Sequence, residues 1–140
     1  MRRTIILSLI VAMMLLSGCA QMKETLSGGS PSKQDTRPSP RYLDFSDILI
    51  PGELEKVQKE SIIINGQGRL VLSGRVENES LAQFFITSMN SEGWTVLYQS
   101  KYLASIKLFF KKQEKFATIL ITEDPLSTRV EIWEIPQEKI

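Results

Sequence analysis

From residue 61 onward the spacing of apolar residues changes period once and then changes back, and this restricts the fold more than any other feature. Over residues 78–93, Leu81, Phe84, Phe85, Ser88 and Met89 follow the three-and-four spacing of one helical stripe. Asn78 suits the N-cap, Glu79 places negative charge in the first turn, and Gly93 fits the left-handed residue that ends helices. Gln83, Thr87 and Asn90 fall on the opposite side and are expected to face water. On both sides of this segment the period is two. Residues 61–65 hold Ile62-Ile63-Ile64, and residues 69–76 put Leu70, Leu72 and Val76 on one face, with Gly66-Gln67-Gly68 supplying the turn. After the helix come four alternating runs. They place Trp94, Val96 and Tyr98 together, then Ile106, Leu108 and Phe110, then Ala117, Ile119 and Ile121, then Val130 and Ile132. A turn is expected near residues 101–104 and another at Asp124-Pro125. Connections this short favour antiparallel hairpins. The spacing therefore predicts an α+β fold of order ββαββββ, with a single helix packed on an antiparallel sheet in two layers.

Residues 42–59 do not join this pattern. Tyr42, Leu43, Phe45, Ile48, Leu49 and Ile50 are densely apolar, Pro51-Gly52 interrupts them, and Leu54 and Val57 hint at one helical turn. The segment reads as an irregular arm packed on a domain spanning residues 42–140. Residues 19–41 read as a flexible linker. Gly28-Gly29, Pro31, Pro38 and Pro40 punctuate it, and Met22 and Leu26 are its large apolar residues. As a flexible coil it would span about 25 Å.

Ahead of the linker, Arg2 and Arg3 precede an apolar run from Ile5 to Leu16 broken only by Ser8. The run is too short to cross a bilayer and has the layout of an export signal, residues 1–18. It ends in Leu16-Ser17-Gly18-Cys19, which holds the single cysteine of the chain. This tetrad resembles the lipobox of bacterial lipoproteins, Leu-[Ala/Ser]-[Gly/Ala]-Cys, at all four positions. The resemblance implies signal cleavage between Gly18 and Cys19, a diacylglyceryl group on the Cys19 thiol, and acylation of the new amino group. Each buried methylene contributes about 0.8 kcal/mol, so two or three chains hold a protein on a membrane without help from its surface. Cys19 is followed by Ala20, not by the aspartate that commonly retains such proteins in the inner membrane. In a source with two membranes the resemblance favours the outer one. The globular part is similar in arrangement to small domains of exported lipoproteins of unknown function, and that likeness transfers no functional residues.

The chemistry-bearing residues are sparse. Without Arg2 and Arg3 the formal charge of +1 becomes −1, which gives no general electrostatic case for nucleic acid. Histidine is absent and no cysteine pair exists, so no disulfide or histidine-based metal site is expected, and the fold must rest on its apolar core. No serine has the partner pattern of a nucleophile. Glu53 and Glu55 sit beside Lys56 and Lys59 as a solvated turn, and Glu123-Asp124 precede Pro125 as another. Gly66-Gln67-Gly68 lacks the following helix and Lys-Ser/Thr of a phosphate loop. Lys111, Lys112 and Lys115, near Phe109, Phe110 and Phe116, read as a charged hairpin end. The sequence points to a non-enzymatic, cofactor-free, lipid-anchored envelope protein acting through contact with a partner protein or envelope polymer. A binder of lipid or a small apolar ligand between helix and sheet is the alternative. The candidate partner surface is Leu97, Phe109, Leu120 and Trp133, which alternation turns away from the helix among Lys107, Lys111, Thr118, Thr122, Arg129 and Glu131. Either this face is open for contact, or the apolar arm folds over it to bury Phe45, Ile48 and Ile50. Coverage by the arm is the expectation. For the anchor, Cys19→Ser is expected to leave an unlipidated precursor or a soluble exported form. Metabolic labelling with radioactive fatty acid checks this, and equal incorporation into wild type and variant would refute it.

Overall fold

A computed structural model describes residues 37–136. The expected leader, with Gly18, Cys19 and Ala20, and the expected linker up to residue 36 lie outside the described residues, as do residues 137–140. Within the described part the chain forms β1 (Arg41–Tyr42), β2 (Leu49–Ile50), β3 (Glu55–Lys56), a 3-10 turn (Gln58–Glu60), β4 (Ile62–Ile64) and β5 (Gln67–Gly74). Helix α1 (Asn78–Ser91) follows, then β6 (Thr95–Tyr102), β7 (Ser105–Lys112), β8 (Lys115–Glu123) and β9 (Thr128–Pro136). β1 and β2 pair only with each other. The remaining strands make one seven-stranded sheet of order β3-β5-β9-β8-β7-β6, with β4 also on β5. Every pairing is antiparallel, so the fold is α+β. α1 carries the chain from β5 to the far edge at β6. Three successive hairpins then walk back until β9 closes against β5.

Local chemistry sets the turns. The β4–β5 turn is Asn65-Gly66, with φ of 52° and 73°, which is the left-handed pair that a two-residue hairpin needs. The sequence expectation placed this turn one residue later, but Gln67 and Gly68 belong to β5. Gly68 is needed for a different reason: at φ 128° a Cβ would lie 2.2 Å from the Ile62 carbonyl oxygen. The helix is capped one residue earlier than Asn78 suggested. The Glu77 carboxylate accepts from the backbone N–H groups of Glu79 and Ser80 at 3.0 and 2.7 Å. Asn78 is instead buried, and its amide donates to the Ala104 carbonyl at 2.9 Å, which ties the helix start to the β6–β7 turn. At the other end Gly93 has φ 85°, its N–H reaches Asn90 O, and Trp94 N–H reaches Met89 O, the paired bonds of a Schellman motif.

Leu81, Ala82, Phe85 and Met89 are the buried stripe of α1, while Phe84 and Ser88 are only half-buried. They share one core cluster with Leu108, Phe110, Ala117, Ile119, Ile121, Val130 and Ile132 of the sheet, and the helix itself contacts β6, β7 and β8. The arm differs from its expectation in two ways. It is not irregular, since residues 41–56 contribute three short strands, and β3 occupies Glu55–Lys56, between Leu54 and Val57, where a helical turn was expected. Nor does it cover the second face of the sheet. Phe45, Ile48, Ile50 and Leu54 are buried in the same cluster as Leu81, Phe85 and Met89, and β2 contacts α1 directly. The reason is width. One helix is about 10 Å across, while six strands at about 4.8 Å spacing make a far wider sheet. α1 touches β6, β7 and β8, and the β5–β9 side of the same face needs other apolar cover. The expected boundary at 41/42 falls inside β1, and Pro38 already lies against Gly52, where a Cβ would meet the Pro38 carbonyl oxygen at 2.0 Å.

Phe85→Ala in the helix and Phe45→Ala in the arm each remove a ring from this shared core. Each is expected to destabilise the domain by about 3–5 kcal/mol. Urea unfolding compares them. A large loss for Phe85→Ala with none for Phe45→Ala would mean that the arm is not part of the core.

Candidate functional site

Two features of the described residues gather charged or exposed groups in excess of what the fold needs. The first is a half-buried ionic cluster where the arm meets the β7–β8 hairpin. Asp47 Oδ2 accepts from Lys112 and Lys115, each at 2.8 Å, and Lys115 also donates to Glu134 at 2.9 Å. Both ammonium groups lie near the Trp94 ring, at 5.7 and 5.1 Å from its centroid, and the Trp94 indole N–H donates to the Asp47 carbonyl at 3.0 Å. The three expected basic residues are therefore not one patch. Lys112 and Lys115 turn to the helix side and neutralise carboxylates, whereas Lys111 sits on the opposite face, 5.5 Å from the Phe116 centroid. Burial works to raise the Asp47 carboxyl, but hydrogen bonds and charge from Lys112 and Lys115 outweigh it and hold the group below its ordinary value. Burial wins at Glu134 and raises it. Asp47 Oδ1 and Glu134 Oε2 have no hydrogen-bond partner among the described residues.

The second feature is the sheet face away from α1. Register places Tyr98, Phe109, Thr118, Trp133, Arg69 and Ile62 opposite one another in a row across six strands. Lys111, Phe116 and Ile135 form the row beside it. Phe109 and Phe116 stack with centroids 5.5 Å apart at 10°, and the Arg69 guanidinium lies 5.4 Å from the Trp133 centroid. Trp133 is 45% exposed, Tyr98 57%, Ile62 63% and Ile64 69%. The face turns polar toward its other end. There Glu131 bridges Arg69 and Arg129 at 2.7 and 3.0 Å, and Arg129 reaches on to Glu60. Burial works to raise the Glu131 carboxyl, but the two guanidinium groups prevail and lower it.

Three of the four residues singled out from sequence, Phe109, Leu120 and Trp133, lie on this face. Leu97 does not occupy a place in its rows. A bulge between Val96 and Tyr98 leaves Leu97 without a partner on β7 and brings Tyr98 opposite Phe109. Tyr98 thereby leaves the face it was expected to share with Val96. Phe116 and Ile135 belong to the same face, and alternation with Leu120 and Trp133 is the sequence signal that carries them. Ile62 and Ile64 are exposed because β4 pairs at the sheet's margin. Two further ion pairs hold the arm: Glu55 meets Arg41 at 3.3 Å, and Asp44 meets Lys56 at 2.7 Å. Among the described residues no three His, Cys, Asp or Glu side chains cluster as metal ligands. No protein-family model and no curated protein matches the chain.

The ionic cluster predicts a pH signature. A depressed Asp47 contributes stability above its ordinary value of 3.8, and that contribution is lost as pH falls through the lower folded value. The raised Glu134 has the opposite sign: its contribution is present at low pH and lost as pH rises through its folded value. Asp47→Asn is expected to cost about 1–2 kcal/mol at neutral pH, with the gap to wild type closing in acid. Urea midpoints of both proteins across pH test this, and a gap independent of pH would refute it.

Proposed function

We propose that this chain is a bacterial envelope protein, held to the membrane through lipidated Cys19, and that it acts without catalysis by binding a partner protein on the outer sheet face. In this reading the functional core is the two-layer ββαββββ unit, with the arm as its second covering element. The observation that carries the proposal is the row from Tyr98 to Ile62. A sheet face turned to water normally alternates to polar residues. Here large apolar side chains from β4, β6, β7, β8 and β9 stand together, with Tyr98, Trp133, Ile62, Ile64 and Ile135 exposed. Aromatic residues and arginine on a contiguous patch are the composition of protein contact sites. Lys107 and Lys111 border the aromatic part of the patch, so the partner fits best with apolar side chains rimmed by carboxylates. The side chains of Phe85, Met89, Leu108 and Ile119 fill the space between α1 and the sheet, which weighs against a ligand bound there. The export signal, the anchor and the preference for an outer membrane rest on residues 1–20 alone.

A photo-cross-linking residue at Lys107, in the lipidated protein in its own cells, tests the reading. One discrete protein adduct is expected, and it should disappear when Trp133→Ala is added while the melting temperature stays unchanged. An adduct of heterogeneous polymer, an adduct indifferent to Trp133→Ala, or the same adduct from a cross-linker at Gln83 on α1 would overturn it.

A further inference from the structure

β6 ends the sheet. It pairs with β7 on one side, and among the described residues no strand pairs with its other side. A free edge of this length presents unpaired N–H and C=O groups to any extended strand. Folds commonly blunt such edges with bulges, prolines or charges. Here the bulge lies at Leu97, near the start, and the pairing with β7 runs without interruption from Tyr98 to Tyr102. The strand carries no proline, and its one charge, Lys101, is drawn toward the helix face by an ion pair with Glu79 of α1.

The regular part of the edge reads Tyr98-Gln99-Ser100-Lys101-Tyr102, which is nearly the same in both directions about Ser100. We propose that this edge pairs with the same edge of a second copy, antiparallel and centred on Ser100. A two-fold axis perpendicular to the sheet keeps both outer faces on one side, so the centre must fall on a residue and not between two. Centred on Ser100, Tyr98 stands opposite Tyr102 of the second copy, Gln99 opposite Lys101, and Ser100 opposite Ser100. Centred on Lys101, two ammonium groups would be directly opposed, a destabilising pair. Centred on Gln99, Lys101 would face the bulged Leu97. Only the Ser100 register uses the whole regular stretch without a like-charge pair. Tyr98 and Tyr102 are 57% and 77% exposed, so aromatic surface is free to pair across the junction. The paired sheets would join the two outer faces into one surface, with the row through Tyr98, Phe109 and Trp133 present on each side of the axis.

Disulfide trapping tests the register in the full chain, with Cys19→Ser removing the native thiol. Opposed residues of an antiparallel pair have Cα atoms about 4.5–5.5 Å apart, within disulfide reach. Cys19→Ser/Ser100→Cys is expected to form a covalent dimer under mild oxidation at least about tenfold faster than Cys19→Ser/Lys107→Cys, whose thiol lies one strand in from the edge. Adding Tyr98→Lys and Tyr102→Lys sets like charges opposite at two symmetric places and should slow trapping roughly tenfold. Adding Tyr98→Glu and Tyr102→Lys sets opposite charges there and should keep it fast. Circular dichroism verifies that each variant is folded. Equal trapping from positions 100 and 107, or charge-swapped and lysine-pair variants that trap alike, would overturn the proposal. The outcome is independent of the membrane anchor and of any outer-face partner.

Discussion

The width of the sheet governs the rest of the molecule. Six strands side by side present more apolar surface than one helix can cover, and α1 lies over β6, β7 and β8. The remaining part of that face, with Leu70, Leu72, Val130 and Ile132, would stay wet if the chain began at residue 61. Residues 41–56 supply the missing cover. Their short strands serve mainly to aim Phe45, Ile48, Ile50 and Leu54 into the core that α1 has started. β3 also lies along β5, so the arm joins both the covering layer and the sheet. Most of the stabilisation comes from this burial, as expected for a domain that has neither a disulfide nor a metal cluster among its described residues.

Polar groups decide where the arm ends its path. Lys112 and Lys115 project from the helix side of a tight hairpin, close to the indole of Trp94, and Asp47 brings the arm to them. Both lysines are half-buried, and the carboxylate offsets the hydration their ammonium groups give up. Tyr42 donates to Glu92 at the end of α1, and Arg41 donates to the carbonyls of Gly52 and Leu54, so the arm is fastened at both its start and its middle. Asp47 and Glu134 share one lysine but shift in opposite directions, because Asp47 has two cationic partners and the more deeply buried Glu134 has one.

Because the arm is spent on the helix side, the opposite face keeps its apolar row. The same topology leaves β6 at the margin, since the helix delivers the chain to the far edge and the hairpins then fold back from it. The open face and the open edge are two consequences of one chain path, and they meet at Tyr98.

The sequence by itself determined the helix, the strands β5, β7, β8 and β9 within two residues, β6 except for its last three residues, the core faces of β7, β8 and β9, and three residues of the outer face. These follow from local periodicity, which side-chain geometry imposes on any chain that buries one side of each element. The proposed leader and lipid anchor are read from residues 1–20 of the sequence alone. Only the tertiary structure decided the face on which the arm lies, because Phe45 and Ile48 satisfy burial equally well against any apolar surface. Only it moved Tyr98 to the outer face, since a bulge shifts alternation by one residue and leaves no mark in composition. It alone separated Lys111 from Lys112 and Lys115, because neighbours in sequence point to opposite faces of a strand and find their partners through the fold.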